Sequence, residues 1–203
     1  MKFLLRAFFN RFDSFLTQFR AVLHRWWFLF TEKPRHRKIE LGRNVVFFVP
    51  VKSGGRGTLQ VGNGTKFGFP LAYHLGNGRI QLQARTPDAE IVIGENNWFS
   101  NNLSVYALQS VRIGNNCRVG ELVSIMDADF HEINPATRDR SAGVVKPVVI
   151  GNNVWIGNRV MILRGAKIGD NSVIGAMSLV TGEIPPNCVA AGVPAKVIRY
   201  LST

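Results

Sequence analysis

The sequence predicts a mainly β fold, a coiled solenoid of short parallel strands, preceded by one amphipathic helix. Three observations carry this. Aliphatic residues recur at every sixth position, at Ile150, Ile156, Ile162, Ile168, Ile174 and Val180, within a beat that starts near Ile91. Gly follows the aliphatic residue at Gly151, Gly157, Gly169 and Gly175, and a small or β-branched residue stands four places after it at Val154, Val160, Ala166, Ser172 and Ser178. The first 30 residues, by contrast, hold ten of the 21 aromatics, spaced as on a helix. A helix repeats near about 3.6 residues and a flat strand near about 2, so neither sustains a beat of six. A triangular coil does: each hexad forms one flat side, three make a turn, and stacked turns bury what no single turn buries alone.

Taken from the N terminus, residues 1–38 form a basic amphipathic unit. Leu5, Phe8, Phe12, Phe15, Phe19, Leu23, Trp26 and Phe30 fall on one broad face of a helical wheel, with Lys2, Arg6, Asp13, Arg20 and His24 opposite. This stretch carries +7 of the total charge of +12, leaving +5 for the rest of the chain. Aromatics beside dense positive charge predict binding to an anionic membrane surface, and hence a cytoplasmic protein peripheral on the inner face of the membrane. The alternative is a helix that packs on the solenoid or on a sister subunit. Arg6 and Arg11 interrupt the apolar run, so the segment reads neither as a signal peptide nor as a membrane span. Nucleic acid is not expected as a partner, because the aromatics that would stack on bases lie off the basic face. Residues 32–38 read as a charged linker broken at Pro34. The chain thus divides into a helix and linker, 1–38, and a repeat domain, 39–203. Removing the helix is expected to leave the solenoid folded.

The solenoid begins with degenerate hexads at Leu41-Gly42 and Val61-Gly62, with turns expected at Gly54 to Gly57 and at Gly76 to Gly78. Regular coils follow from Ile93, Ile113, Ile150 and Ile168. Between the second and third of these the beat stops, and residues 126–147 form a polar insertion. Insertions leave a solenoid as loops on one edge, where function concentrates. The two cysteines give no framework of spaced pairs, which points to a reducing compartment. Cys117 occupies the small-residue slot of a hexad and is assigned to the core; Cys188 falls in a loop after Pro185-Pro186.

The runs 148–157, 168–176 and 184–199 resemble the hexapeptide-repeat O-acetyltransferases, among them the maltose and galactoside, nodulation, and capsule or exopolysaccharide acetyltransferases. The resemblance covers residues 91–200. It implies a left-handed parallel β-helix, a homotrimer with sites between neighbouring subunits, acetyl-coenzyme A as co-substrate, no metal, and a carbohydrate acceptor.

The same resemblance assigns residues. The catalytic histidine of the extruded loop matches His131. Acyl transfer from a thioester to an alcohol needs a base for the hydroxyl proton, and imidazole titrates near neutrality. His131 is also the one histidine within the regular coils and sits in their one large insertion. Asp127 or Asp129 is the expected partner that orients its ring. Asn158 matches the position whose backbone N–H stabilises the tetrahedral oxyanion, and Asn101 matches a substrate-binding asparagine. Trp155 is expected to wall the acceptor or pantetheine site, with subunit packing as its alternative. Ala176 and Thr181 match positions lining the pantetheine groove. Lys196 and Arg199 match the basic residues near the coenzyme phosphates.

Departures narrow the reading. The acidic N-terminal substrate contact of the maltose-type enzymes has no match, which turns the expected acceptor from a free sugar toward a glycan or lipid-linked sugar in surface polysaccharide biosynthesis. Solenoid carbonic anhydrases need three histidine ligands, and two of the four histidines here, His24 and His36, lie in the appendage. A catalytically silent scaffold and an acetyltransferase for a small non-sugar acceptor are the alternatives.

Overall fold

A computed structural model describes the backbone of residues 2–32, 38–70 and 78–202, with side chains from residue 15 onward. The side chains of Lys2, Leu5, Arg6, Phe8, Phe12 and Asp13, the linker 33–37 and the turn at Gly76 lie outside these. One α-helix, Lys2–Thr31, precedes a β-solenoid. Among the described residues the strands form three sheets of seven, eight and six, one for each side of a triangular prism. All neighbours are parallel except the closing hairpin of Cys188–Gly192 with Ala195–Tyr200. The fold is the left-handed parallel β-helix, with its loop extruded between Met126 and Val148.

Inward residues stack in register along each side. On the first side Leu41, Val61, Ile93, Ile113, Ile150, Ile168 and Ile184 stand in register. On the second the column is Phe47, Phe67, Phe99, Val119, Ile156, Ile174 and Ala190. On the third it is Ser53, Leu82, Val105, Ile125, Ile162 and Val180. The six-residue beat therefore walks around the three sides in turn, and the inward residues merge into one core.

The corner between first and second sides explains its own sequence. Asn44, Asn96, Asn116, Asn153, Asn171 and Asn187 all sit there with φ between 54° and 59°. Asn tolerates this left-handed conformation better than other residues with a Cβ. Their amides also form a ladder, Asn153 Nδ2 donating to Asn171 Oδ1 at 2.9 Å and Asn171 Nδ2 to Asn187 Oδ1 at 2.8 Å.

Two expectations change: Cys188 is fully buried in the strand Cys188–Gly192 rather than in a loop, and Gly54-Gly55 is no turn. Gly54 and Gly55 lie inside the strand Val51–Gly55, not in a turn. A Cβ on Gly55 would come within 1.8 Å of the Ala84 carbonyl oxygen in the next coil, so glycine here serves close stacking. The end of the helix also packs on the repeat core. Phe28 is 1% exposed and stacks on Phe47 at 5.0 Å, heading a ring column that continues through Phe67 and Phe99 at 5.3 and 5.2 Å. Buried Glu32 accepts hydrogen bonds from the Ser53 N–H and hydroxyl through its Oε2. The helix caps the open end of the solenoid, and without it the Phe47 ring would face water.

The outer face of the helix is left bare. Phe15, Phe19, Trp26 and Phe30 are all more than half exposed. No described helix is long and apolar enough to cross a membrane.

Candidate active site

The extruded loop is anchored at its root rather than its tip. Asp127 is fully buried, and its two carboxylate oxygens accept three backbone N–H groups, from Leu108, Gln109 and Ser110, at 2.7–2.8 Å. Asp129 is paired with Arg164, at the corner of the next coil, which ties the loop to that edge. Ala128 and Val145 form a bridge across the loop base, and Lys146 N–H donates to the Asp127 carbonyl. Phe130 stands edge-on to Tyr106, and the Arg85 guanidinium lies over both rings at 4.7 and 4.9 Å. A Cβ on Gly143, whose φ is +66°, would come within 2.3 Å of the His131 carbonyl oxygen, so only glycine lets the returning strand pass.

His131 follows directly on this clamp, with its side chain 65% exposed. The carboxylate beside its Nδ1 is Asp139, at 3.4 Å. This corrects the sequence expectation: Asp127 is committed to backbone N–H groups and Asp129 to Arg164. Both anchor the loop that carries His131. Periodicity could not show this, because it gives no path for a chain that leaves the coil.

The second corner, between second and third sides, gathers other predicted residues in one column. Asn101, Glu121, Asn158 and Ala176 each stand two places after an inward residue of the second side, one coil above the other. Here Leu122, Arg159 and Met177 occupy the left-handed conformation at φ 56–60° where the first corner mostly uses Asn. Such residues pay a local strain of about 1–2 kcal/mol each, a cost found most often at functional edges.

A ladder of side-chain oxygens runs along both corners. At the first corner the N–H of Glu95, Asn115 and Asn152 donates to the side-chain Oδ1 of Asn115, Asn152 and Asp170 respectively, at 2.7–2.9 Å. At the second corner Phe69 N–H donates to Asn101 Oδ1 at 3.0 Å and Glu121 N–H to Asn158 Oδ1 at 2.9 Å. Above Asn101 the rung is Glu121, which is buried with its Oε1 unpartnered. Above Asn158 it is Ala176, which has no oxygen to offer. Asn158 N–H therefore has no acceptor among the described residues. The motif GNNVWIGN alone did not reveal this; it needs the register of the next coil.

Trp155 is 60% exposed on the second side, in an outward column that alternates cation and indole: Lys66, Trp98, Arg118, Trp155. Lys66 Nζ lies 4.7 Å from the Trp98 ring centre. A shallow cleft of about 190 Å³ lies over Phe69, Trp98, Arg118 and Trp155. Arg199 is opposite Val189 on this same side. Thr181 and Lys196 line another cleft, of about 210 Å³, between the third corner and the C-terminal hairpin. Cys117 is buried, and burial pushes its thiol pKa up, so it is a core residue and a poor nucleophile. Among the described residues no three His, Cys, Asp or Glu side chains gather as a metal site.

Within one chain, then, His131 and Thr181 lie along the third corner, Lys196 faces it from the C-terminal hairpin, and Asn101, Asn158 and Ala176 lie along the second. In a single copy His131 and the Asn158 N–H stand on different corners.

Comparison with known proteins bears on this arrangement. The family described as Bacterial transferase hexapeptide (six repeats) matches residues 147–182. The galactoside O-acetyltransferase of Escherichia coli K12 is 44% identical over 114 residues, 56% of each chain. A provisionally named lipopolysaccharide biosynthesis O-acetyl transferase, WbbJ, of the same organism is 37% identical over 50% of this chain and 59% of its own. The chain thus spans little more than half the length of these relatives. A solved galactoside acetyltransferase in complex with coenzyme A superposes with a TM-score of 0.59 at 28% identity, over 92% of this chain and 81% of that one. AntD, an N-acyltransferase from Bacillus cereus, shares the fold with a TM-score of 0.65 at 16% identity, over 84% and 86%. The six-residue beat, the three-sided coil and these matches together make the chain a hexapeptide-repeat left-handed β-helix protein similar to the O-acetyltransferases.

Proposed function

We propose that this chain is an acetyl-coenzyme A-dependent O-acetyltransferase that acts on a carbohydrate hydroxyl in surface polysaccharide or glycan biosynthesis. The observation that carries the reading is the pairing of a clamped, exposed His131 with an unsatisfied N–H at Asn158 on the opposite corner. Three copies around an axis set the third corner of one against the second corner of the next, so the working unit is a homotrimer.

The chemistry follows from the groups. With Nδ1 beside Asp139, the His131 Nε2 is left to take the proton of the acceptor hydroxyl. The hydroxyl oxygen attacks the thioester carbonyl, and its C=O pair moves onto oxygen. Asn158 N–H donates to that oxyanion. Collapse expels the coenzyme thiolate, which takes the proton back from His131. Asn101 and Trp155 contact the acceptor, Ala176 and Thr181 the pantetheine arm, and Lys196 and Arg199 the coenzyme phosphates. The bare aromatic stripe of the helix holds the enzyme on an anionic membrane at the cytoplasmic face, near lipid-linked acceptors.

His131→Ala tests the mechanism. It should lower kcat by about two to four orders of magnitude while coenzyme affinity stays near normal. Asp139→Asn should cost less than about fivefold, because an exposed pair contributes about 0–1 kcal/mol. Near-normal turnover without His131 would remove the proposal, and a turning-over monomer in light scattering would remove the trimer.

A further inference from the structure

The helix and the first coils enclose a cleft of about 430 Å³, and of its lining only Asn101 has a role above. Its polar walls are Arg20, His24 and Thr17 from the helix and Asn101 from the second corner; the rest is Val49, Pro50, Phe69, Pro70 and other apolar or backbone surface. No described lining residue is a carboxylate. The groups on offer are mainly donors. Arg20 is exposed and always charged. Asn101 spends its Oδ1 on Phe69 N–H, which leaves the amide NH₂ for a ligand. His24 lines the cleft, and its Nδ1 is buried with no hydrogen-bond partner among the described residues.

The cleft also adjoins an apolar groove. His24 is shared between it and a groove of about 520 Å³ lined by Leu23, Trp26, Trp27 and Phe30 on the outer helix face. Residues 17, 20 and 24 recur at helical spacing on the side turned to the coils, while Phe15, Phe19, Trp26 and Phe30 face out. One helix thus presents cations and donors inward and aromatic rings outward, meeting at His24.

We propose that the Arg20–His24 cleft binds a phosphate group carried by the acceptor, with the aromatic groove beside it taking the hydrocarbon of a lipid-linked one. Guanidinium, imidazole and amide groups around an otherwise apolar pocket suit an oxyanion. The word acceptor rests on the acetyltransferase reading; the phosphate site does not.

The test uses the full chain and two probes, inorganic phosphate and geranyl phosphate, with calorimetry and the fluorescence of the helix tryptophans as readouts. Arg20→Gln and His24→Gln should each weaken both probes by tenfold or more. Trp26→Ala should weaken geranyl phosphate alone; equal loss of both probes would mean that the groove takes no hydrocarbon. Because Arg20 is exposed, its variant keeps the fold even if His24→Gln does not, and circular dichroism checks this. Undiminished binding of both probes by Arg20→Gln overturns the site. Phosphate binding that depends on Arg20, in a protein that binds no acetyl-coenzyme A, would leave the site standing and defeat the acetyltransferase instead. Transfer to neutral and phosphorylated acceptors with equal kcat/KM in wild type would defeat the acceptor assignment.

Discussion

Replacing Ala176 by Asn should silence catalysis by adding a hydrogen bond. At both corners a side-chain oxygen two places after the inward residue accepts the N–H of the coil below, at 2.7–3.0 Å. Asn158 N–H lacks this acceptor only because its neighbour is Ala176. An asparagine there has the length and register of Asn158 itself, whose Oδ1 already caps Glu121 N–H at 2.9 Å. The new bond should stabilise the second corner by about 0.5–1.5 kcal/mol. It should also take the donor away from the oxyanion, and loss of one such donor costs about 10²–10³ in kcat. In the proposed site bulk at this position would hinder the pantetheine arm as well, so Ala176→Val is the control: similar in size, without an acceptor. The assay is steady-state acetyl transfer with coenzyme affinity measured separately, alongside thermal melting. Asn should fall well below Val in kcat while both bind the coenzyme alike, and Asn should melt no lower than wild type. Equal kcat in the two variants, or full activity in Asn, would refute the ladder argument.

Three further outcomes are expected. Phe28→Ala removes the cap of the Phe47 column; a buried Phe contributes about 3–5 kcal/mol, so hydrogen exchange should speed up in strands Lys38–Leu41 and Val46–Phe47 while the C-terminal coils stay protected, whereas exposed Trp26→Ala should change stability by under about 0.5 kcal/mol. Asp127→Ala strands three N–H groups that each cost about 1–3 kcal/mol when unsatisfied, so both melting temperature and kcat should fall, and added imidazole should not restore activity as it would for a missing base. Cys117 carries a raised thiol pKa through burial, so it stays protonated at neutral pH and should resist iodoacetamide in the native protein, reacting at the rate of a free thiol only after unfolding; fast native labelling would contradict its place in the core.

The residues of the repeat determine much by themselves. A beat of six with glycine after each aliphatic position forces short sides and corners, because no other regular structure has that period. The register from Ile150 to Val180, the core place of Cys117 and the exit of the loop at residue 126 were all legible on that ground. The first coils were less so, since Phe47 and Phe67 break the aliphatic pattern while keeping its spacing, and Gly54-Gly55 imitates a turn while packing as a strand. What the chain leaves to the tertiary structure are relations between coils about 18 residues or more apart, which no local pattern encodes. Asp127 looks like a partner for His131 until its oxygens are seen on the backbone of the coil below. Asn158 N–H is free only because a residue one turn later has no side-chain oxygen. Phe28 reads as one more aromatic of the helix until stacking on Phe47 shows it buried against the core. In each case sequence sets which group is present, and the stacking of one coil on another decides what that group is left free to do.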